Sequence, residues 1–204
     1  MGADTVTTHP LDFWLEYGSP YTYLTVARIE DLARVSGVTV TWKPFLLYPI
    51  LMDMGWKQEP FIQFPVKGRY MWRDLERRAK RHGLPYNRPS VFPPDPLLTA
   101  RIGCLAAQEG WCPAFTRATF SAHWVDGRII GTPENLDAVL AGLGKDPEQI
   151  KARAQTDENK LRLRQQTSEA ADLGIFGSPS FVVNGELFWG DDRLEDALDC
   201  AREG

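Results

Sequence analysis

The feature that most constrains this chain is the order of its periodicities: strand signals near both ends and only helical signals between them. Residues 11–16 alternate apolar and polar side chains, the period of a half-buried strand. Gly18-Ser19-Pro20 interrupts that run, and Ser followed by Pro marks a helix start, with Ser19 as N-cap and Pro20 in the first turn. Leu24, Ala27, Leu32 and Val35 predict one apolar helix face, closed by Gly37. A second alternating run, residues 38–42, precedes Lys43-Pro44. Strand, helix, strand in this order predicts a parallel, right-handed βαβ unit.

The middle is helical from about residue 61 to 170, with breaks at the proline cluster 85–96 and at 127–133. Residues 67–82 form a charged helix carrying Met71, Trp72 and Leu75; further helices are expected over 97–108, 113–125, 134–143 and 147–173. Strand signals return at 180–183 and 186–189. They flank Asn184-Gly185, a pair suited to a two-residue type I′ hairpin turn. A last helix follows, with Asp192 and Glu195 spaced as a capping box and Leu194, Ala197 and Leu198 on its apolar face. The predicted class is α/β: a thioredoxin-like fold with an all-helical domain inserted between the βαβ half and the C-terminal β-hairpin-helix half. Residues 1–60 and 171–204 would form the thioredoxin-like domain and 61–170 the insertion.

Charge and composition narrow the function classes. A formal net charge of -4 lacks the basic footprint of a nucleic-acid binder. No apolar run approaches the roughly 18 residues that span a bilayer, and residues 1–10 lack the basic start and apolar core of a signal peptide. The expectation is a cytoplasmic protein with neither nucleic-acid nor membrane partners. Cys104, Cys112 and Cys200 form no C-x-x-C pair and have no histidine-rich neighbourhood, so no dithiol, zinc or other metal site is expected, and the thiols read as buried spectators. His9, His82 and His123 suggest neither a triad nor a metal site.

Three constellations carry chemistry. In Tyr17-Gly18-Ser19-Pro20-Tyr21, free N–H groups at a helix start favour an anion. The reactive form of a sulfur is the thiolate, and no cysteine stands at this turn. Ser19 either caps the helix or donates a hydrogen bond to a thiolate carried by a ligand. In Gly177-Ser178-Pro179-Ser180, a proline opens a strand. It is either a simple loop proline or a cis residue that lets the Ser178 backbone pair with an extended peptide. In Trp189-Gly190-Asp191-Asp192-Arg193, two carboxylates either cap the helix or receive an ammonium group.

These segments, with Lys43-Pro44-Phe45, Lys67-Gly68-Arg69-Tyr70-Met71-Trp72, Phe92-Pro93 and Phe176, resemble the kappa-class glutathione transferases and bacterial 2-hydroxychromene-2-carboxylate isomerases, relatives of the DsbA oxidoreductases. The resemblance runs from Asp12 to the final helix. It implies glutathione as cofactor, with Ser19 hydrogen-bonding its sulfur and holding it as thiolate. Ser178, before a cis-Pro179, would pair with the cysteinyl backbone, and Asp191 and Asp192 would receive the γ-glutamyl end, Asp192 being the firmer match. Trp56 stands where some members have an asparagine contact to glutathione, and reads instead as a wall of the substrate pocket. Lys43, Lys57, Lys67 and Arg69 are candidates to anchor a substrate carboxylate, and each also reads as a solvated surface charge.

The resemblance implies a homodimer that isomerises aromatic ring-degradation intermediates. The thiolate would add to a conjugated enone, a double bond would become rotatable, and elimination would return glutathione. A transferase that conjugates electrophilic substrates is the alternative, and a non-catalytic thioredoxin-fold binding module a third reading. Disulfide exchange is disfavoured, because Ser19 and Thr22 stand where a C-x-x-C pair would sit.

Overall fold

The computed structural model describes residues 9–58 and 60–203. The expectations for residues 1–8 lie outside them.

Strand β1 (Leu11–Leu15) is followed by α1 (Pro20–Val26), α2 (Ile29–Ser36) and β2 (Val40–Pro44). Helices α3 (Leu47–Asp53), α4 (Pro60–Gln63), α5 (Pro65–Arg81), α6 (Leu97–Gln108), α7 (Cys112–Trp124), α8 (Pro133–Gly142), α9 (Pro147–Ala154) and α10 (Asp157–Asp172) come next. The chain ends in β3 (Ser180–Val183), β4 (Glu186–Trp189), a 3-10 turn (Asp191–Arg193) and α11 (Leu194–Glu203). The four strands form one sheet in the order β2-β1-β3-β4. β1 runs parallel to β2, with Phe13 opposite Trp42, and antiparallel to β3, with Phe13 opposite Phe181. Asn184 (φ 49°) and Gly185 (φ 83°) make the β3–β4 turn, as the dipeptide predicts. This is the thioredoxin-like α/β fold.

Alternation along β1 sorts its side chains between two cores. Leu11, Phe13 and Leu15 enter the larger buried cluster, which continues through Tyr17 and Phe115 to Leu140. Trp14 faces the other way and packs with Phe45, Ile50, Ala170 and Ile175.

Two expected helices are each divided. The run 20–36 is α1 and α2, because Arg28 leaves helical geometry (φ -126°, ψ -28°) and its guanidinium turns toward α11. Val35 therefore lies 78% exposed and off the apolar face assigned to it. The run 147–173 is α9 and α10. Thr156 caps α10 by accepting from Asn159 N at 3.4 Å, and the Asn159 amide donates to Ala154 O and Arg101 O, both at 2.9 Å. Both junctions are held by side chains that find better partners outside the helix than continued helix would offer.

Candidate active site

The turn between β1 and α1 meets the loop entering β3. Pro20 occupies the first turn of α1, and Ser19 has the extended backbone of an N-cap (φ -80°, ψ 123°), but its hydroxyl makes no bond to the helix. Ser19 Oγ donates to Ser178 O at 2.7 Å. Ser178 Oγ in turn accepts from Glu16 N at 2.9 Å and shares a hydrogen bond with Thr22 Oγ1 at 2.9 Å. The Ser178-Pro179 bond is cis. Ser19 and Ser178 are each only 8% exposed, so this turn presents only an edge to solvent.

Close packing holds this turn in place. The Tyr17 hydroxyl shares a hydrogen bond with Thr116 Oγ1 at 2.9 Å, and its ring stacks on Phe120 with centroids 5.8 Å apart. Burial, with a lesser push from Cys112, lifts the Tyr17 phenol well above its ordinary pKa, so it stays protonated. Tyr21 donates to Asp74 Oδ2 at 3.0 Å. Gly177 lies so near the Trp189 indole that a Cβ there would overlap it.

The third constellation is joined to the second through Gly190 N, which donates to Pro179 O at 2.9 Å. Its two aspartates differ sharply. Asp191 is enclosed: Oδ1 accepts from Arg28 Nη2 at 2.7 Å and from Thr25 Oγ1 at 3.1 Å, while Oδ2 accepts from Arg78 Nη2 at 2.9 Å. Its side chain has no exposed surface, whereas Asp192 is 52% exposed and pairs with Arg193 at 3.1 Å. The expected capping box does not form, because the 3-10 turn at Asp191–Arg193 precedes α11 and Gly190, with no side-chain cap, stands ahead of it.

Of the other expected residues, Lys43 pairs with Glu169 Oε1 at 3.3 Å and lies 5.3 Å from the Trp14 ring centroid. Trp56 is half-buried with its ring edge-on to Phe64, centroids 6.2 Å apart. Arg69 is exposed on α5. Among the described residues no hydrogen bond or ring contact joins Lys43, Trp56 or Arg69 to Ser19.

Burial pushes the Cys104 and Cys112 thiols up to about 12, which removes them as nucleophiles near neutral pH. Among the described residues no group of His, Cys, Asp and Glu could hold a metal ion, and no helix is long and apolar enough to cross a membrane. The Glu16 backbone donor and the Arg28–Asp191–Arg78 cluster went unseen in the sequence, where the hydrogen-bonded partners stand 113 to 163 positions apart. Arg78 in particular is one of a run of basic residues that reads as a solvated helix face.

A thioredoxin fold with a serine at the head of its first helix, against a proline-opened third strand, defines a thioredoxin-superfamily protein without the dithiol. The chain belongs to the DsbA-like thioredoxin domain family, whose model matches residues 10–200. It is 25% identical over 188 residues to the 2-hydroxychromene-2-carboxylate isomerase of Sphingobium xenophagum, covering 92% of this chain and 95% of that one. Similarity to glutathione S-transferase kappa 1 of Caenorhabditis elegans is 26% over 207 residues, covering 95% and 91%. A solved 2-hydroxychromene-2-carboxylate isomerase superposes with a TM-score of 0.82 at 25% identity, over 90% of each chain. The cytosolic disulfide reductase DsbM of Pseudomonas aeruginosa shares the fold, with a TM-score of 0.64 at 18% identity over 94% of this chain and 95% of that one.

Proposed function

We propose that this chain is a glutathione-dependent isomerase of the 2-hydroxychromene-2-carboxylate type, acting on aromatic ring-degradation intermediates. The observation that carries the reading is the Ser19 hydroxyl, which is not spent on its own helix and donates to Ser178 O at 2.7 Å. A donor so placed can turn from a neutral carbonyl to an anionic sulfur, and hydrogen bonds to a charged acceptor are roughly twice as strong as neutral ones.

Glutathione, when bound, would supply a thiolate able to add to a conjugated double bond and leave again. Ser19 would hold that sulfur in its ionised form, which is stabilisation by a preorganised donor. The Ser178 backbone would align the cysteinyl unit in strand-like fashion. Asp192, with its exposed carboxylate, would receive the γ-glutamyl ammonium; Asp191, already saturated, would serve that end by holding the turn. Trp56 would wall the substrate side, Arg69 would anchor a substrate carboxylate from α5, and Lys43 would reach one only by leaving Glu169. The reduced thiols at Cys104, Cys112 and Cys200 suit a cytoplasmic setting.

The similarity to a kappa glutathione transferase, 26% over 95% of this chain, supports a second reading in which the conjugate is released. Isothermal titration of glutathione into wild type and Ser19→Ala tests the common basis. Wild type is expected to bind with proton release and gain of ultraviolet thiolate absorbance, and Ser19→Ala to lose the absorbance. Absence of binding to wild type would remove both readings. Stoichiometric consumption of glutathione with no isomerised product would leave only the transferase.

A further inference from the structure

A cavity that shares no residue with the Ser19–Ser178 turn lies where α3, α6 and α10 meet. Its volume is about 370 Å3, and it has an apolar floor that includes Ile50 and Leu163. Arg101, Lys160 and Arg164 stand on its wall against a single carboxylate, Asp53. Two hydrogen bonds fix the frame: Leu46 N donates to Thr167 Oγ1 at 3.2 Å, and the Asn159 amide donates to Arg101 O at 2.9 Å.

The cations are unequally engaged. Lys160 pairs at 3.1 Å with Asp157, a fully exposed residue, and such surface pairs are weak. Arg101 and Arg164 have no ion-pair partner among the described residues. Arg101 Nε is shielded from solvent and without a hydrogen-bond partner, so one donor of this half-buried guanidinium is desolvated and unpaired at the cavity wall, while Arg164 is exposed at the rim. A partly buried cation in this condition is a strong attractor for a planar anion, since a guanidinium fork matches a carboxylate with two parallel hydrogen bonds.

We infer that this cavity is a binding site for a small amphipathic carboxylate, with an apolar one- or two-ring body on the Ile50–Leu163 floor and its carboxylate toward Arg101 and Arg164. The volume falls in the range of small-molecule sites, and an apolar floor with a few convergent polar groups is their usual make-up. Free inorganic anions would leave the floor empty, and a neutral body would leave the guanidinium groups unpaired. The site is independent of the glutathione reading.

The probe is 1-naphthoate, titrated calorimetrically into wild type, Arg101→Gln/Arg164→Gln, Arg164→Glu, Asp53→Asn and Ser19→Ala, with 1-naphthalenemethanol as the neutral counterpart. Saturable binding to wild type is expected, weakened about tenfold or more by the double substitution and by Arg164→Glu. Asp53→Asn should bind more tightly, a gain that a folding defect does not produce. Ser19→Ala should bind as wild type does. The inference is overturned by no saturable binding to wild type, by equal affinity for the alcohol, or by indifference to the arginine substitutions. Loss of binding in Ser19→Ala overturns it as well, because the probe would then be sitting at the Ser19 turn.

Discussion

His123 sits fully buried near the end of α7, with Nδ1 2.7 Å from Arg128 O and Nε2 without a hydrogen-bond partner. The neutral tautomer with the proton on Nδ1 satisfies that carbonyl, and burial lowers the imidazole pKa below its ordinary 6.5. The sign of the linkage follows. Above about pH 6.5 the ring is neutral whether the chain is folded or not, and as pH falls below that value the unfolded chain takes up a proton that the folded one resists. Stability is expected to drop between about pH 7 and pH 5, and His123→Gln should flatten that slope in urea titrations at several pH values. An unchanged slope would assign the acid sensitivity elsewhere, with His82, also lowered by burial, the next candidate. Nothing local in the sequence could say that this ring is entirely enclosed. Ser19 shows the same limit: Ser-Pro correctly marked the helix start, and the direction of the hydroxyl came from Ser178, 159 positions away.

At the scale of elements, Asp191 is the joint between helices. Through Arg28 and Thr25 it holds the α1–α2 corner, through Arg78 it holds α5, and Arg28 also reaches Glu195 at 2.7 Å on α11. Removing one partner of a buried ionic cluster leaves uncompensated charge, so Asp191→Ala is expected to lower stability by about 3 kcal/mol. Urea unfolding measures it, and a change below about 0.5 kcal/mol, the scatter of ordinary surface substitutions, would show the cluster to be energetically idle. Gly103 on α6 serves a neighbouring joint without charge, since a Cβ there would press on the Tyr17 ring. Elements with strong local signals matched expectation: β1, the Asn184-Gly185 hairpin and α6 all lie within a residue of their predicted spans. Of the misread ones, α1–α2, α9–α10 and the start of α11 have ends set by Arg28, Thr156 and the Asp191–Arg193 turn, whereas α3 went unread and β2 begins two residues later than expected.

Across the whole molecule, we propose that residues 1–60 with 171–204 form the thioredoxin-like unit and carry 61–170 as an insertion, although one buried cluster runs through both. We propose too that the chain is a homodimer. Phe64, Val66 and Tyr70 expose 46%, 70% and 61% of their surface around the start of α5, large apolar side chains that a partner subunit would cover. Sedimentation velocity should give twice the chain's 23.0 kDa, and Val66→Lys should shift it toward monomer; a monomeric wild type at micromolar concentration would refute the assembly. By itself the sequence determined the order of the four strands, the hairpin turn and the lack of a C-x-x-C pair, because periodicity, turn chemistry and residue identity act over a few positions. Only the tertiary structure decided that Asp191 is sealed inside an arginine pair while Asp192 stays open, that Lys43 is spoken for, and that Arg101 and Arg164 share a cavity. Those outcomes depend on which distant side chains compete for the same few polar atoms once water has been excluded, and spacing along a chain carries no record of that competition.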